Sequence, residues 1–256
     1  MIITRDIATK VLETVDAGLC SGKGQPIPGQ MCVEAAVCYA MGLPHGDEPS
    51  CVSPAIRAFK IRLNDSLWST NQARASGMRR LALVQLGSAG VVDDKEFAAR
   101  LGDLAVRKIA PFALREAARV HPDQVQKAAV EQAAKDCEDK GTIEAAYAAY
   151  AAAYAANAAN AANAAYAAAY AAYAANAANA ASAAAYAAYA ANAAKAAAYA
   201  AYAAYAANAA DAAKAARDKF LALVAEEVVQ ILKSMNAPGA QWLVLAPTLE
   251  ATGDTP

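Results

Sequence analysis

Apolar side chains recur at every third or fourth position along most of the first 140 residues, which is the spacing of a buried helix face. In residues 2–19 they include Ile3, Ile7, Val11 and Val15, so a first helix is expected there. No run alternates β-branched with polar residues as a half-buried strand does. The pattern therefore predicts an all-α fold with about six short helices in this part of the chain. After 2–19, the predicted helices begin near residues 30, 54, 71, 93 and 122.

Capping residues and helix breakers mark where these helices start and stop. Ser53 followed by Pro54 is an N-cap with a proline in the first turn. Pro111 lacks a backbone donor and should kink or restart the helix that contains it. Residues 25–29 hold two prolines and a glycine, which favours a loop, so the second helix is expected to begin near Gln30.

The pattern changes completely after residue 144. Between residues 145 and 216, 50 of 72 positions are alanine, and 11 of the chain's 12 tyrosines lie among the others. The bulky positions recur mostly every three residues and occasionally every four. Alanine is the strongest helix former, and no glycine or proline occurs between residues 142 and 237, so the local preference is helical. Because a step of three falls short of a full turn, tyrosine and asparagine should wind around helices that expose alanine on every side.

A straight helix over 142–235 would be about 140 Å long, so the Ala-rich tract must either fold back or project from the rest. Folding back into a tightly packed bundle is favoured, because alanine faces allow helices to approach closely. Asparagine tolerates left-handed backbone, so the turns are expected at the two asparagine clusters. A threefold helix, of the 3₁₀ or polyproline II kind, is a third alternative. The clusters are Asn157-Asn160-Asn163 and Asn176-Asn179-Ser182.

These changes in pattern divide the chain into four segments. We expect a globular helical domain over 1–140, Ala-rich repeat helices over 141–217, an amphipathic docking helix over 218–236 and a tail over 237–256. The 23 basic and 24 acidic residues leave a net charge of −1, which disfavours nucleic acid and anionic membranes as partners. The tract lacks Leu, Ile, Val and Phe and is not expected to enter a membrane. The start of the sequence has no secretory pattern, so a cytoplasmic location is expected.

One loop offers candidate catalytic chemistry. Cys32 follows the 25–29 loop and would lie in a first helical turn, where unpaired N–H groups lower a thiol pKa. Gln30 could then donate to an oxyanion and His45 could act as the base. This arrangement is similar in idea to papain-like cysteine hydrolases, although Gln30 lies two residues before the cysteine and no sheet is evident to carry the histidine. The competing interpretation is that Cys32 is a small buried residue of a helical core.

The remaining polar residues give no strong signal for a cofactor or metal. Cys32, Cys38, His45 and Cys51 lack the close cysteine pairs that preorganise zinc, so no metal site is expected. Five cysteines at irregular spacing indicate reduced thiols. Lys60 and its basic neighbours are interspersed with acids, which is typical of a solvated helix face.

The tract resembles the Ala-Ala-x tracts of Ala-rich bacterial helical proteins, including immunity proteins of polymorphic toxin systems; the resemblance covers 144–217 only. Helical antifreeze proteins are also Ala-rich, but they rely on regularly spaced threonine, which this tract lacks. The leading prediction is a non-enzymatic protein that binds a protein partner or forms a homo-oligomer through the tyrosines; the alternative is the hydrolase of residues 1–140. The predicted contact residues are Tyr147, Tyr150, Tyr154, Tyr166, Tyr170, Tyr173, Tyr186, Tyr189, Tyr199, Tyr202 and Tyr205.

Overall fold

A computed structural model describes residues 2–156, 159–175, 183–206 and 210–247, without the side chains of 159–164, 172, 183–184, 203–206 and 210. Within these residues the chain forms eleven α-helices and no β-strand, which confirms the all-α fold. The helices are α1 (Arg5–Asp16), α2 (Val33–Ala40), α3 (Pro54–Asn64), α4 (Asn71–Val84), α5 (Asp94–Leu104), α6 (Ala110–Arg119), α7 (Gln124–Lys140), α8 (Ile143–Ala155), α9 (Ala159–Ala175), α10 (Ala183–Ala206) and α11 (Ala210–Ser234).

Local capping sets most helix starts. Ser53 caps α3 by accepting from the Ile56 N–H group, and Pro54 occupies the first turn as predicted. The second helix is different, because α2 begins at Val33 and not near Gln30. The two ends of the loop before α2 are joined by a backbone hydrogen bond, in which the Cys20 N–H group donates to the Met31 carbonyl at 3.0 Å. Met31 is therefore extended, and Cys32 becomes the N-cap of α2.

Pro111 lies in a helical segment that continues without interruption from α5 to α6. A π-helical turn over Ala105–Ile109 joins α5 to α6, and Pro111 lies in the first turn of α6. Pro111 has no N–H group to donate to the carbonyl four residues earlier, and the π turn lies directly before the turn that contains it. The first 140 residues thus contain seven α-helices where the apolar spacing predicts about six.

The Ala-rich tract folds back on itself. Helix α9 packs against both α8 and α10, so the alternative of a single projecting helix is wrong. The threefold helix is also wrong, because the described parts of the tract are α-helical. Asn160 and Asn163, which are predicted turn residues, lie within α9. The other predicted turn residues, Asn157, Asn176, Asn179 and Ser182, lie outside the described residues.

Helix α10 lies in the interior of the protein. It packs against α3, α5, α6, α9 and α11, and its alanines belong to one hydrophobic core shared with the N-terminal helices. Gly102 of α5 shows how close the backbones approach, since a Cβ atom there would lie 2.8 Å from the Ala174 carbonyl oxygen of α9. The buried alanines of α10 are Ala187, Ala190, Ala191, Ala193, Ala194, Ala196, Ala197, Ala198, Ala200 and Ala201.

The last helix joins the end of the repeat to the predicted docking segment. α11 runs unbroken across the predicted boundary between 217 and 218. Its Phe220 ring stacks on Phe112 of α6, with centroids 4.1 Å apart. A 3₁₀ segment over Pro238–Leu245 then packs against α4. The four-segment division itself stays a prediction.

Candidate functional site

The tyrosines of α8, α9 and α10 form the most extensive exposed aromatic surface among the described residues. Alanine occupies most positions that face neighbouring helices, and six of the winding tyrosines are exposed on the outer side. Six rings are at least 36% exposed: Tyr147, Tyr150, Tyr154, Tyr166, Tyr173 and Tyr189. We call these six residues, together with the partly buried Tyr170, Tyr186 and Tyr199, the tyrosine surface.

Rings from three helices contact one another across this surface. Tyr147 of α8 meets Tyr173 of α9 edge-on, with centroids 6.5 Å apart. Tyr173 in turn lies 5.4 Å from Tyr189 of α10. Tyr170 and Tyr186 also contact Tyr189, at 6.5 Å and 6.1 Å. Such contacts restrict the rings before any partner arrives, so less side-chain entropy is lost on binding.

The exposed area is large enough to matter. At about 200 Å² per ring, the exposed fractions of the six most exposed tyrosines amount to about 600 Å². That sum is comparable to the largest apolar patches of monomeric proteins, which often mark interaction sites. A standard interface covers about 800 Å² per partner, so these rings could supply most of one side.

A groove between α9 and α10 continues the tyrosine surface. Its volume is about 250 Å³, a little below the roughly 300–1,000 Å³ of typical small-molecule sites. Lys195 lies in the groove and is the one charged residue between Glu144 and Asp211. Among the described residues no carboxylate lies within 4.0 Å of its ammonium group. The lining residues are Tyr166, Tyr170, Asn192, Lys195, Ala196 and Tyr199.

Two predicted contact tyrosines do not join this surface. Tyr202 is partly buried and lies under the Arg217 guanidinium of α11, 5.1 Å from the ring centroid. That contact places Tyr202 in the packing between α10 and α11. The side chain of Tyr205 lies outside the described residues.

The candidate nucleophile Cys32 is buried. Its Sγ accepts from the Ala35 N–H group at 3.4 Å, and the residue is 4% exposed. Burial raises the pKa of the Cys32 thiol to about 11, and the backbone N–H groups that lower it do not compensate. The expectation of a lowered pKa is therefore wrong, because loss of hydration outweighs the helix terminus.

The other two members of the candidate catalytic set are engaged elsewhere. Nε2 of His45 donates to the Gly24 carbonyl at 3.0 Å, and the exposed Gln30 accepts from the Cys20 thiol through its main-chain oxygen at 3.3 Å. No hydrogen bond joins Cys32 to His45 or Gln30 in this described region. The hydrolase alternative thus lacks the thiol and base contact that it requires.

A buried polar cluster lies beside Cys32, and the sequence gives little sign of it. Lys60 of α3 and Glu34 of α2 are both fully buried, with Nζ 3.4 Å from Oε1. Lys60 is therefore not on a solvated face. Among the described residues, neither these charged groups nor the buried Gln85 amide has a partner in hydrogen-bond geometry. Burial raises the pKa of Glu34 and lowers the pKa of Lys60, because each charged form loses hydration.

The cluster borders a cavity of about 40 Å³, which is lined in part by Cys32, Glu34 and Asn64. That volume admits a few water molecules and no organic substrate. In the part of the chain that the structure describes, no group of three or more His, Cys, Asp or Glu residues could hold a metal ion. None of the described helices has both the length and the apolar character needed to cross a membrane.

Comparison of this chain with protein-family models, curated proteins and solved structures found no match.

Proposed function

We propose that this protein is non-enzymatic and that its tyrosine surface binds another protein chain, either a second copy or a partner that it sequesters. The observation that carries the proposal is the set of exposed rings that contact one another across α8, α9 and α10. Tyrosine is enriched at interfaces because one rigid side chain supplies both apolar area and a hydroxyl group.

The buried faces of the helices that carry the rings favour the same function. The alanines on the opposite sides of α9 and α10 are buried against α5 and α6, so the rings project from helices that the core holds in place. Binding surfaces on rigid elements lose less entropy than surfaces on loops. The resemblance of the tract to bacterial immunity proteins makes sequestration of a partner in the cytoplasm the specific form that we propose.

The test removes the central rings and keeps the helices. Tyr147, Tyr173 and Tyr189 are each replaced by alanine, which has the highest helix propensity and matches the surrounding sequence. Tyr39 is the one tyrosine outside the tract, and it is 39% exposed, so Tyr39→Ala is the matched control. Circular dichroism and thermal melts establish that both variants fold.

Two measurements are made on the folded variants. Light scattering over a concentration series reports self-association, and affinity capture from the source cells followed by mass spectrometry reports other partners. We expect the triple variant to lose the oligomer or the captured partner, with at least tenfold weaker binding, and the control to keep it. Unchanged mass and unchanged capture in the triple variant would contradict the proposal.

A further inference from the structure

We infer that the groove between α9 and α10 binds a carboxylate side chain of an acidic segment in the partner protein. The inference rests on the proposed function and names the chemistry of the partner. It starts from the isolated charge of Lys195, which lies among tyrosine rings in a tract that is otherwise uncharged from residue 145 to residue 210.

The groove is rich in hydrogen-bond donors. Tyr166, Tyr170 and Tyr199 each carry a phenol O–H group, Asn192 carries an amide NH₂, and Lys195 carries three N–H donors. A carboxylate is an acceptor with about four lone-pair sites and a negative charge, so it complements both the donors and the ammonium group. An uncharged or cationic side chain would leave the Lys195 charge without a partner.

The size and charge of the groove favour a peptide carboxylate over a polyanion. A volume of about 250 Å³ holds one or two side chains. Nucleic acids bind through several cations that neutralise successive phosphates, whereas Lys195 is the sole cation lining this groove. An acidic protein segment that also presents an apolar residue to the adjacent rings satisfies both features.

The larger groove between α4 and α11, of about 540 Å³, does not compete for this ligand. Its two arginines already have carboxylate partners, since Arg79 bonds Asp16 at 2.7 Å and Arg80 bonds Glu226 at 2.9 Å. A carboxylate ligand would have to displace an existing ion pair there. In the groove between α9 and α10 it would find an unpaired ammonium group.

The inference can be tested by peptide selection on the full-length protein. A library of random dodecapeptides displayed on phage is selected against the wild type, Lys195→Gln and Lys195→Glu. Lys219→Glu is the matched control, because Lys219 is an exposed lysine on α11 that does not line the groove. We expect Asp and Glu to be enriched on the wild type and the control, to lose enrichment with Lys195→Gln, and to be replaced by Lys and Arg with Lys195→Glu.

Affinities of the selected peptides, measured by fluorescence anisotropy, complete the test. We expect about tenfold weaker binding to Lys195→Gln than to the wild type. Equal acidic enrichment on all proteins, or no enriched peptide on the wild type, would overturn the inference. The triple tyrosine variant separates the two proposals, because none of its three positions lines the groove. Peptides that need the tyrosines but show no acidic preference leave the proposed function intact and overturn the inference. Acidic peptides that need Lys195 yet bind the triple variant as tightly as the wild type support the groove and count against the tyrosine surface.

Discussion

Removal of Lys60 should destabilise the protein far more than removal of Lys60 and Glu34 together. In Lys60→Met the carboxyl of Glu34 keeps its fully buried position and loses the cation that lies 3.4 Å from it. In Glu34→Leu/Lys60→Met both charges are gone, and apolar side chains of similar size fill the space. Comparing the single variant with the double variant separates the attraction between the two charges from the free-energy cost of burying them.

The size of the expected loss of stability follows from the distance between the two charged groups. At the observed 3.4 Å and an effective dielectric constant of about 20, the attraction between the two charges is about 5 kcal/mol. Removing both charges from water costs several kcal/mol for each ion, so the intact pair contributes little net stability. We therefore expect Lys60→Met to lower the free energy of unfolding by about 3–5 kcal/mol and the double variant to lie within about 1 kcal/mol of the wild type, or above it.

The assay is urea unfolding followed by circular dichroism at pH 7, with Glu34→Leu completing a double-mutant cycle. Lys108→Met is the control, because Lys108 forms an exposed pair with Glu227 and should cost less than about 1 kcal/mol. The reasoning is refuted if the single variants are mild and their effects simply add.

The pH dependence of the stability of Lys60→Met independently checks the direction in which the pKa of Glu34 is shifted. Burial already raises the pKa of Glu34 in the folded protein, and loss of the cation raises it further. A raised folded pKa means that the folded state holds its proton more tightly, so stability is highest below the ordinary carboxyl range and falls as pH rises through the folded pKa. The variant should therefore recover part of its lost stability below about pH 5.

Three further outcomes are expected. Gly102→Ala should lower the free energy of unfolding by about 1–2 kcal/mol, because the added Cβ would meet the backbone of α9, although alanine has the better helix propensity. Gly46→Ala, whose nearest contact would be 3.8 Å away, should be close to neutral. Urea unfolding of both variants distinguishes the effect of packing from that of helix propensity. Thr142→Ala should cost about 1 kcal/mol in the same assay, since its hydroxyl caps α8. Cys32 should label with iodoacetamide at least 100-fold more slowly than a free thiol at pH 7.5, as followed by mass spectrometry, because its pKa lies near 11 against an ordinary 9.0; labelling as fast as a free thiol would revive the hydrolase alternative.

Capping residues next to a helix allow its start to be predicted from sequence. Ser53 and Pro54 place the start of α3 from sequence alone, because a cap and its first turn are neighbours in the chain. The start of α2 differs from the prediction because it depends on pairing between residues eleven positions apart, Cys20 and Met31. A rule based on neighbours cannot register that contact.

The pair of Glu34 and Lys60 was unpredictable for a related reason. Glu34 stands out as the single charge of an apolar helix, yet nothing in that pattern indicates a partner. Lys60 follows Phe59 on α3 at a position where the basic neighbours suggest a solvated face. Only the packing of α2 against α3 brings the two charged groups together.

In the Ala-rich tract the composition predicts helices but not which faces are buried. Alanine lies on every side of each helix, so the inward face is chosen by what the neighbouring helices offer. Tyr202 illustrates the limit, since it follows the same spacing as Tyr189 and yet lies under Arg217 of α11. The exposure of each ring is therefore a tertiary property.

The buried position of α10 also determines which experiment can test the tyrosine surface. Each buried alanine contributes only about 1 kcal/mol of hydrophobic free energy, so the tract depends on the larger apolar side chains of α3, α5 and α6 against which it packs. Those side chains depend on the tract in return, because α10 covers them. Deletion of residues 145–216 would thus expose the core of the N-terminal helices, and loss of binding would follow from unfolding alone. Substitutions confined to exposed rings such as Tyr173 remove the contact surface and leave the buried alanines in place, which makes them the decisive test.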